Sequence, residues 1–208
     1  MVFHSVPKAV QLLFPKRKWS GDPAENQVYL TFDDGPVPGV TDFVLEQLRI
    51  RNQKATFFMV GDNVRKHPRL AKAVLEEGHL IGNHTFHHLK GFQTAQKDYF
   101  RDFQRSEEIF QEVLGKGTRV FRPPYGSLTP LQAGPIRQSH EIIMWDVLSG
   151  DYDPKEKPEK ILLETQKRTL AGSIVVFHDQ EKTAQTLPKV LPLYLDFLLE
   201  KKFKTALL

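Results

Sequence analysis

The chain has 208 residues, 40% hydrophobic and 26% charged, which suits one globular domain with a core of its own. It contains no cysteine, so disulfides, thiolate metal sites and a cysteine nucleophile are excluded, and any metal must be held by nitrogen and oxygen. The net charge of +4 and pI near 9.2 would suit an anionic polymer, but a solvated exterior with surplus lysines is the plainer reading, and no run interleaves basic and aromatic residues as a nucleic-acid reader does.

Residues 1–27 read as an N-terminal extension to a domain spanning 28–208. The opening, MVFHSVPKAVQLLFPKRKW, lacks the order of an export signal, because Lys16, Arg17 and Lys18 follow the short apolar stretch instead of preceding it. No segment approaches the length of a membrane span. The extension is expected to pack as a short helix or to touch a membrane surface. A cytoplasmic or membrane-surface location is the default expectation, although a polymer substrate often lies outside the cell.

From there apolar runs alternate with helical periods. QVYLTF at 27–32 predicts a strand, and 40–50 a helix with Val40, Phe43, Val44 and Leu48 at helix spacing. ATFFMV at 55–60 is a second strand. Residues 67–78 form a helix with Pro68 near its start and Gly78 past its end. HLIGN at 79–83 is a third strand, 94–114 a long helix and RVFR at 119–122 a fourth strand. Residues 129–140 are broken by Gly134 and Pro135, so any helix there is short or irregular. EIIMWDV at 141–147 predicts a fifth strand, 158–172 a helix, SIVVFH at 173–178 a sixth strand, 186–202 a helix and 203–208 a last strand. Repeated βα alternation predicts a parallel sheet, open or closed into a barrel.

Polar residues gather at one kind of place, the C-terminal ends of these apolar runs. Asp33 and Asp34 follow the first strand, His84, His87 and His88 the third, Arg122 and Tyr125 the fourth, Asp146 with Asp151 and Asp153 beyond it the fifth, and His178 and Asp179 the sixth. In βα architectures that edge is where loops converge and ligands bind. Adjacent carboxylates resist joint ionisation without a cation nearby, although an Asx-turn is the plainer account of Asp33–Asp34. His84 and His88 are four apart, so one helical turn would place both imidazoles on one face. Spacing alone barely separates His88 from His87, and three solvent-facing loop histidines remain the alternative. Asp34 with two histidines would give an open two-His, one-carboxylate site, the pattern of catalysis.

Taken together, TFDDGP at 31–36, HTFHH at 84–88, RPPY at 122–125 and VFHD at 176–179 resemble, in order, the motifs of the polysaccharide deacetylases of carbohydrate esterase family 4. The resemblance runs from about residue 28 to the C-terminus and selects His88 over His87. It implies a single-domain, distorted (β/α)7–8 barrel that removes acetyl groups from N-acetylated glycans such as peptidoglycan or a chitin-like oligosaccharide. By resemblance Asp33 is the general base, Arg122 orients it, and His178 is the general acid. Asp34, His84 and His88 would hold a divalent metal, zinc first, with cobalt, nickel or iron as alternatives. Tyr125 and Val176 would line the substrate site, a backbone N–H near Tyr125 holding the oxyanion.

One motif departs from the pattern. Where the family often has Asp-x-x-Asp-Trp, this chain reads Leu148-Ser149-Gly150-Asp151-Tyr152. The first acid, expected to support the catalytic histidine, is Leu148, which leaves Asp146, two positions back, as the expected stand-in. The departure also gives weight to a sugar-binding module without turnover. O-acetyl or non-sugar amide substrates and a zinc-stabilised scaffold are further alternatives.

Overall fold

In the computed structural model, which describes residues 4–208, the predicted strands pair into one sheet, parallel throughout. After a short helix α1 (Lys8–Leu13), the domain begins with β1 (Gln27–Asp33) and α2 (Thr41–Ile50). It continues through β2 (Thr56–Met59), α3 (Gly61–Lys66), α4 (Pro68–Glu76), β3 (Leu80–Asn83), α5 (Gln96–Leu114) and β4 (Val120–Phe121). Then come α6 (Pro130–Ile136), β5 (Glu141–Ile142), β6 (Val147–Leu148), α7 (Pro158–Arg168), β7 (Ile174–His178), α8 (Leu187–Glu200) and β8 (Lys204–Thr205). The strand order is β5-β4-β3-β2-β1-β7-β6, with β8 against the start of β1. With the helices packed around it, this is the distorted barrel of a single domain.

The strand period of two sorts the side chains into two layers. Val28, Leu30 and Phe32 of β1, Phe57 and Met59 of β2, and Val175 and Phe177 of β7 pack outward against Val44, Leu48, Leu191 and Leu195 of the flanking helices. Each such side chain, fully removed from water, contributes about 1.5–3 kcal/mol. The alternate residues face inward, where Tyr29, Phe58, Val120, Ile143 and Ile174 make a second apolar cluster. The same alternation puts Asp33 and His178, paired in register on β1 and β7, on the inner face at the C-terminal ends of their strands.

Two sequence expectations change, and a third, that any helix within 129–140 is short, holds. Helix α3 was not anticipated; its sequence GDNVRK contains one buried apolar side chain, Val64, too few to show a period. Residues 129–140 do contain a helix, started by a Thr129–Gln132 capping box despite Pro135 inside it. The expected fifth strand splits in two. Glu141–Ile142 pairs with β4 and Val147–Leu148 with β7, because the chain crosses here from one sheet edge to the other.

The N-terminal segment fills that crossing. Lys18 N–H donates to Ile142 O (2.9 Å), Met144 N–H to Lys18 O (2.7 Å), and Leu148 N–H to His4 O (3.0 Å), and Ser5 bridges Val147 antiparallel. Among the described residues, then, the flanks of α1 line the sheet edges, while α1 itself, the helix expected to pack, buries no residue. No helix among them is long and apolar enough to cross a membrane.

Candidate active site

One cleft of about 720 Å³ at the C-terminal edge of the sheet is lined by Asp33, Asp34, His84, His88, Tyr125, Val176 and His178, with Trp145, Leu148 and Tyr152 along a wall. Arg122 lies beneath, fully buried. The structure therefore gathers the residues singled out from separate strand ends.

Asp34, His84 and His88 present ligand atoms that all lie within 4.8 Å of one another. Asp34 Oδ1 is 2.9 Å from His88 Nε2 and 3.4 Å from His84 Nε2, and it is buried with no aligned hydrogen-bond donor. His84 Nδ1 stands 2.7 Å from the Arg122 carbonyl oxygen, an obligate acceptor. Nδ1 therefore carries the proton and Nε2 keeps its lone pair free to bind a cation. Burial works against the charge on Asp34, but the neighbouring His84 and His88 outweigh it and hold the carboxyl well below its usual range. A buried oxygen lacking a donor, between two imidazole nitrogens, fits a divalent cation.

Asp33 plays a different part. Its Oδ1 accepts from Arg122 Nη1 at 2.7 Å, and the same nitrogen donates to Thr31 Oγ1 at 2.7 Å, while Nη2 donates to Met144 O at 3.0 Å. The guanidinium also lies 4.1 Å over the Phe58 ring. Burial depresses Arg122 and the Asp33 charge partly restores it. An unpaired charge at this depth would be prohibitive, so each member of the pair fixes the other.

His178 Nδ1 lies 2.8 Å from Asp151 Oδ1, and Asp151 Oδ2 accepts the His178 backbone N–H at 2.8 Å. This corrects the expectation for Asp146, whose carboxylate instead accepts Ser173 Oγ (2.9 Å) and Ile174 N–H (2.7 Å). The partner is the second acid of the aberrant motif, and the Leu148 substitution leaves the pair intact. Burial lowers the His178 pKa, but Asp151 first, then Asp34 and Asp33, raise it to about 9. Tyr152 stands edge-on to the imidazole, ring centroids 5.1 Å apart.

Tyr125 is 66% exposed at the rim, its ring 4.7 Å from that of His88, while Val176 is buried in the wall. His87, the rival of His88, turns away and contacts Asp102 Oδ1 at 2.5 Å. Four of the seven non-glycine residues with positive φ among the described residues are Asp34 (83°), Thr85 (63°), His88 (57°) and Tyr125 (59°), all in loops of this cleft. Such backbone costs about 1–3 kcal/mol per residue and persists only where the surroundings impose it. Sequence reading missed Asp102, Trp145 and Asn63, whose Nδ2 donates to Asp34 O at 2.7 Å. They lie outside the recognised motifs, and only the tertiary fold brings them to the site.

A family model described as polysaccharide deacetylase matches residues 20–135. A peptidoglycan-N-acetylglucosamine deacetylase of Bacillus cereus is 34% identical over 183 residues, covering 84% of this chain and 84% of the relative. Another from Bacillus cereus is 31% identical over 180 residues, and there the chain spans only 65% of the relative's length. A crystal structure of a peptidoglycan N-acetylglucosamine deacetylase bound to 4-naphthalen-1-yl-N-oxidanyl-benzamide superposes with a TM-score of 0.87 at 29% identity, covering 93% of this chain and 91% of that one.

Proposed function

The chain belongs to the polysaccharide deacetylase family, and from that membership we propose that it is a metal-dependent hydrolase that removes acetyl groups from N-acetylated sugars of a glycan such as peptidoglycan or a chitin-like oligosaccharide. The observation that carries the proposal is the meeting, in one cleft, of the Asp34–His84–His88 cluster with the Asp33–Arg122 and His178–Asp151 pairs.

Asp34, His84 and His88 would hold the cation, which when bound supplies Lewis acidity to the acetyl carbonyl and makes water acidic enough to react near neutral pH. Zinc is the first assignment, since two imidazoles and one carboxylate with open positions suit it; cobalt, nickel and iron accept similar donors. Asp33, held by Arg122, takes the proton of the attacking water. His178 gives its proton to the departing amine, which an amide requires because an amide anion is a very poor leaving group. Asp151 keeps the imidazole charged and oriented for that transfer. The left-handed turn at Tyr125 is where a backbone N–H would meet the developing oxyanion. Trp145, Leu148, Tyr152 and Val176 offer an apolar wall to the sugar and its acetyl methyl.

Acetate release by the zinc-loaded protein tests this against N-acetylglucosamine oligomers, peptidoglycan and acetylated xylan. Release from either N-acetylated substrate, lost together with bound zinc in Asp34→Ala, is expected. Release from acetylated xylan alone would move the activity to esters. No release from any of them would overturn turnover.

A further inference from the structure

The histidine that the metal cluster leaves out belongs to a second device. We infer that Asp102 is a positioning residue for the cation-binding loop, fixing residues 84–88 so that His84 and His88 face Asp34, with His87 serving this clamp and not the metal. The inference rests on the reading of Asp34, His84 and His88 as ligands.

The loop needs such a clamp. Thr85 and His88 both hold left-handed backbone, at φ 63° and 57°, and threonine is β-branched, the kind of side chain that conformation tolerates least. The loop's backbone conformation is held by its neighbours. Asp102 Oδ2 accepts the N–H of Phe86 and of His87, both at 2.9 Å, and Oδ1 meets His87 Nδ1 at 2.5 Å. Thr85 N–H donates to Asn83 Oδ1 at 2.7 Å, and Thr85 O accepts from Gly61 N–H (2.9 Å) and Ser106 Oγ (3.3 Å).

The clamp comes from one face of α5. Asp102 and Ser106 are one turn apart among the buried residues Tyr99, Phe103 and Phe110. A carboxylate at 6% exposure in that row would be costly without donors, and the loop supplies them. Gly61 completes the seat, since a Cβ there would lie 2.7 Å from Ser106 Oγ and 2.9 Å from the Phe86 ring. Arg105, 3.9 Å over that ring, covers Phe86 from outside.

The test measures zinc affinity by chelator competition and the visible spectrum of the cobalt-loaded protein, with circular dichroism to confirm folding. Asp102→Ala is expected to weaken zinc binding roughly 10–100-fold and to change the cobalt spectrum, as loss of a group that orients a ligand does. Asp102→Asn should stay within about threefold of the parent, because its carbonyl oxygen accepts both backbone N–H groups and its amide suits the other His87 tautomer. His87→Ala should keep the parent's cobalt spectrum. An Asp102→Ala protein that is folded and binds zinc as the parent does would overturn the inference, as would a His87→Ala protein that loses the metal like His88→Ala. Should Asp102→Ala not fold, Asp102→Glu keeps the charge but displaces it by a methylene. Weaker zinc binding with an unchanged melting point of the metal-free protein supports positioning; unchanged affinity overturns it. If the parent and Asp34→Ala bind zinc equally, the ligand assignment itself has failed, and the two failures stay distinct.

Discussion

Two acids stand near the strand that carries His178, and they have opposite fates. Asp151 touches the imidazole and helps lift its pKa to about 9. His178 is therefore protonated through neutrality, and an acid-catalysed step loses rate as pH rises through about 9. In Asp151→Asn the largest raising influence is gone, so the alkaline limb of kcat/KM is expected to move down by at least about one unit, read from a pH–rate profile. Asp146 is set apart from this chemistry, and burial pushes its carboxyl up to about 6 from 3.8. A raised carboxyl pKa means the folded state binds the proton more tightly. Its contribution is complete below the unfolded value and is lost as pH rises through about 6, a change of order 3 kcal/mol. Urea unfolding of the parent and Asp146→Asn at pH 4 and pH 8 should show the parent losing stability relative to the variant, with acetate release unaffected by the substitution. At this scale the ends of the apolar runs pointed to Asp34, His84, Arg122 and His178, and the family resemblance chose His88 over His87; the structure brings all five to one edge of the sheet. It misplaced the partner of His178, because strand spacing near 148 says nothing about a loop that folds back over β7.

Loops, more than strands, decide where the cation ligands point. The turn after β1 is anchored by Asp179, whose two oxygens accept Gly35 N–H at 3.0 Å and Thr41 Oγ1 at 2.7 Å. A Cβ at Gly35 would lie 2.0 Å from Asp179 Oδ2. Gly35→Ala is therefore expected to cost about 1–3 kcal/mol of stability through overpacking. Because the turn carries Asp34, zinc affinity should fall about tenfold or more as well; thermal melting and chelator competition read the two effects, and a parental zinc affinity would detach the glycine from the site. The strands and long helices were legible from their periods. The split between β5 and β6 was not, since Ile142 to Trp145 form one unbroken apolar run with no turn signal in it, and the segment that pairs with its two halves lies more than a hundred positions earlier.

Across the whole molecule, residues 4–20 bridge the gap between the β5 and β6 edges of the sheet. His4 holds Leu148 from both sides, with Leu148 N–H donating to His4 O at 3.0 Å and His4 Nδ1 standing 3.1 Å from Leu148 O, while Val6 N–H reaches Asp146 O at 3.3 Å. Deleting residues 1–14 removes these bonds and the packing of Phe14 against the buried cluster of Trp19, Tyr99, Phe103 and Phe121. At roughly 1 kcal/mol per hydrogen bond the loss is expected to be ~2–4 kcal/mol by denaturant unfolding, with aggregation at the bared β6 edge. An unchanged unfolding midpoint would show that the barrel closes without the segment.

Residues 4 and 208 consequently lie at opposite ends of the sheet. His4 sits against Leu148, which lines the cleft, whereas Leu208 N–H reaches Thr56 Oγ1 at 3.4 Å, at the opposite end of β2 from the catalytic loops. A fusion partner joined after Leu208 stands away from the mouth of the cleft. Immobilising the protein through its C-terminus should leave the approach of a long glycan open.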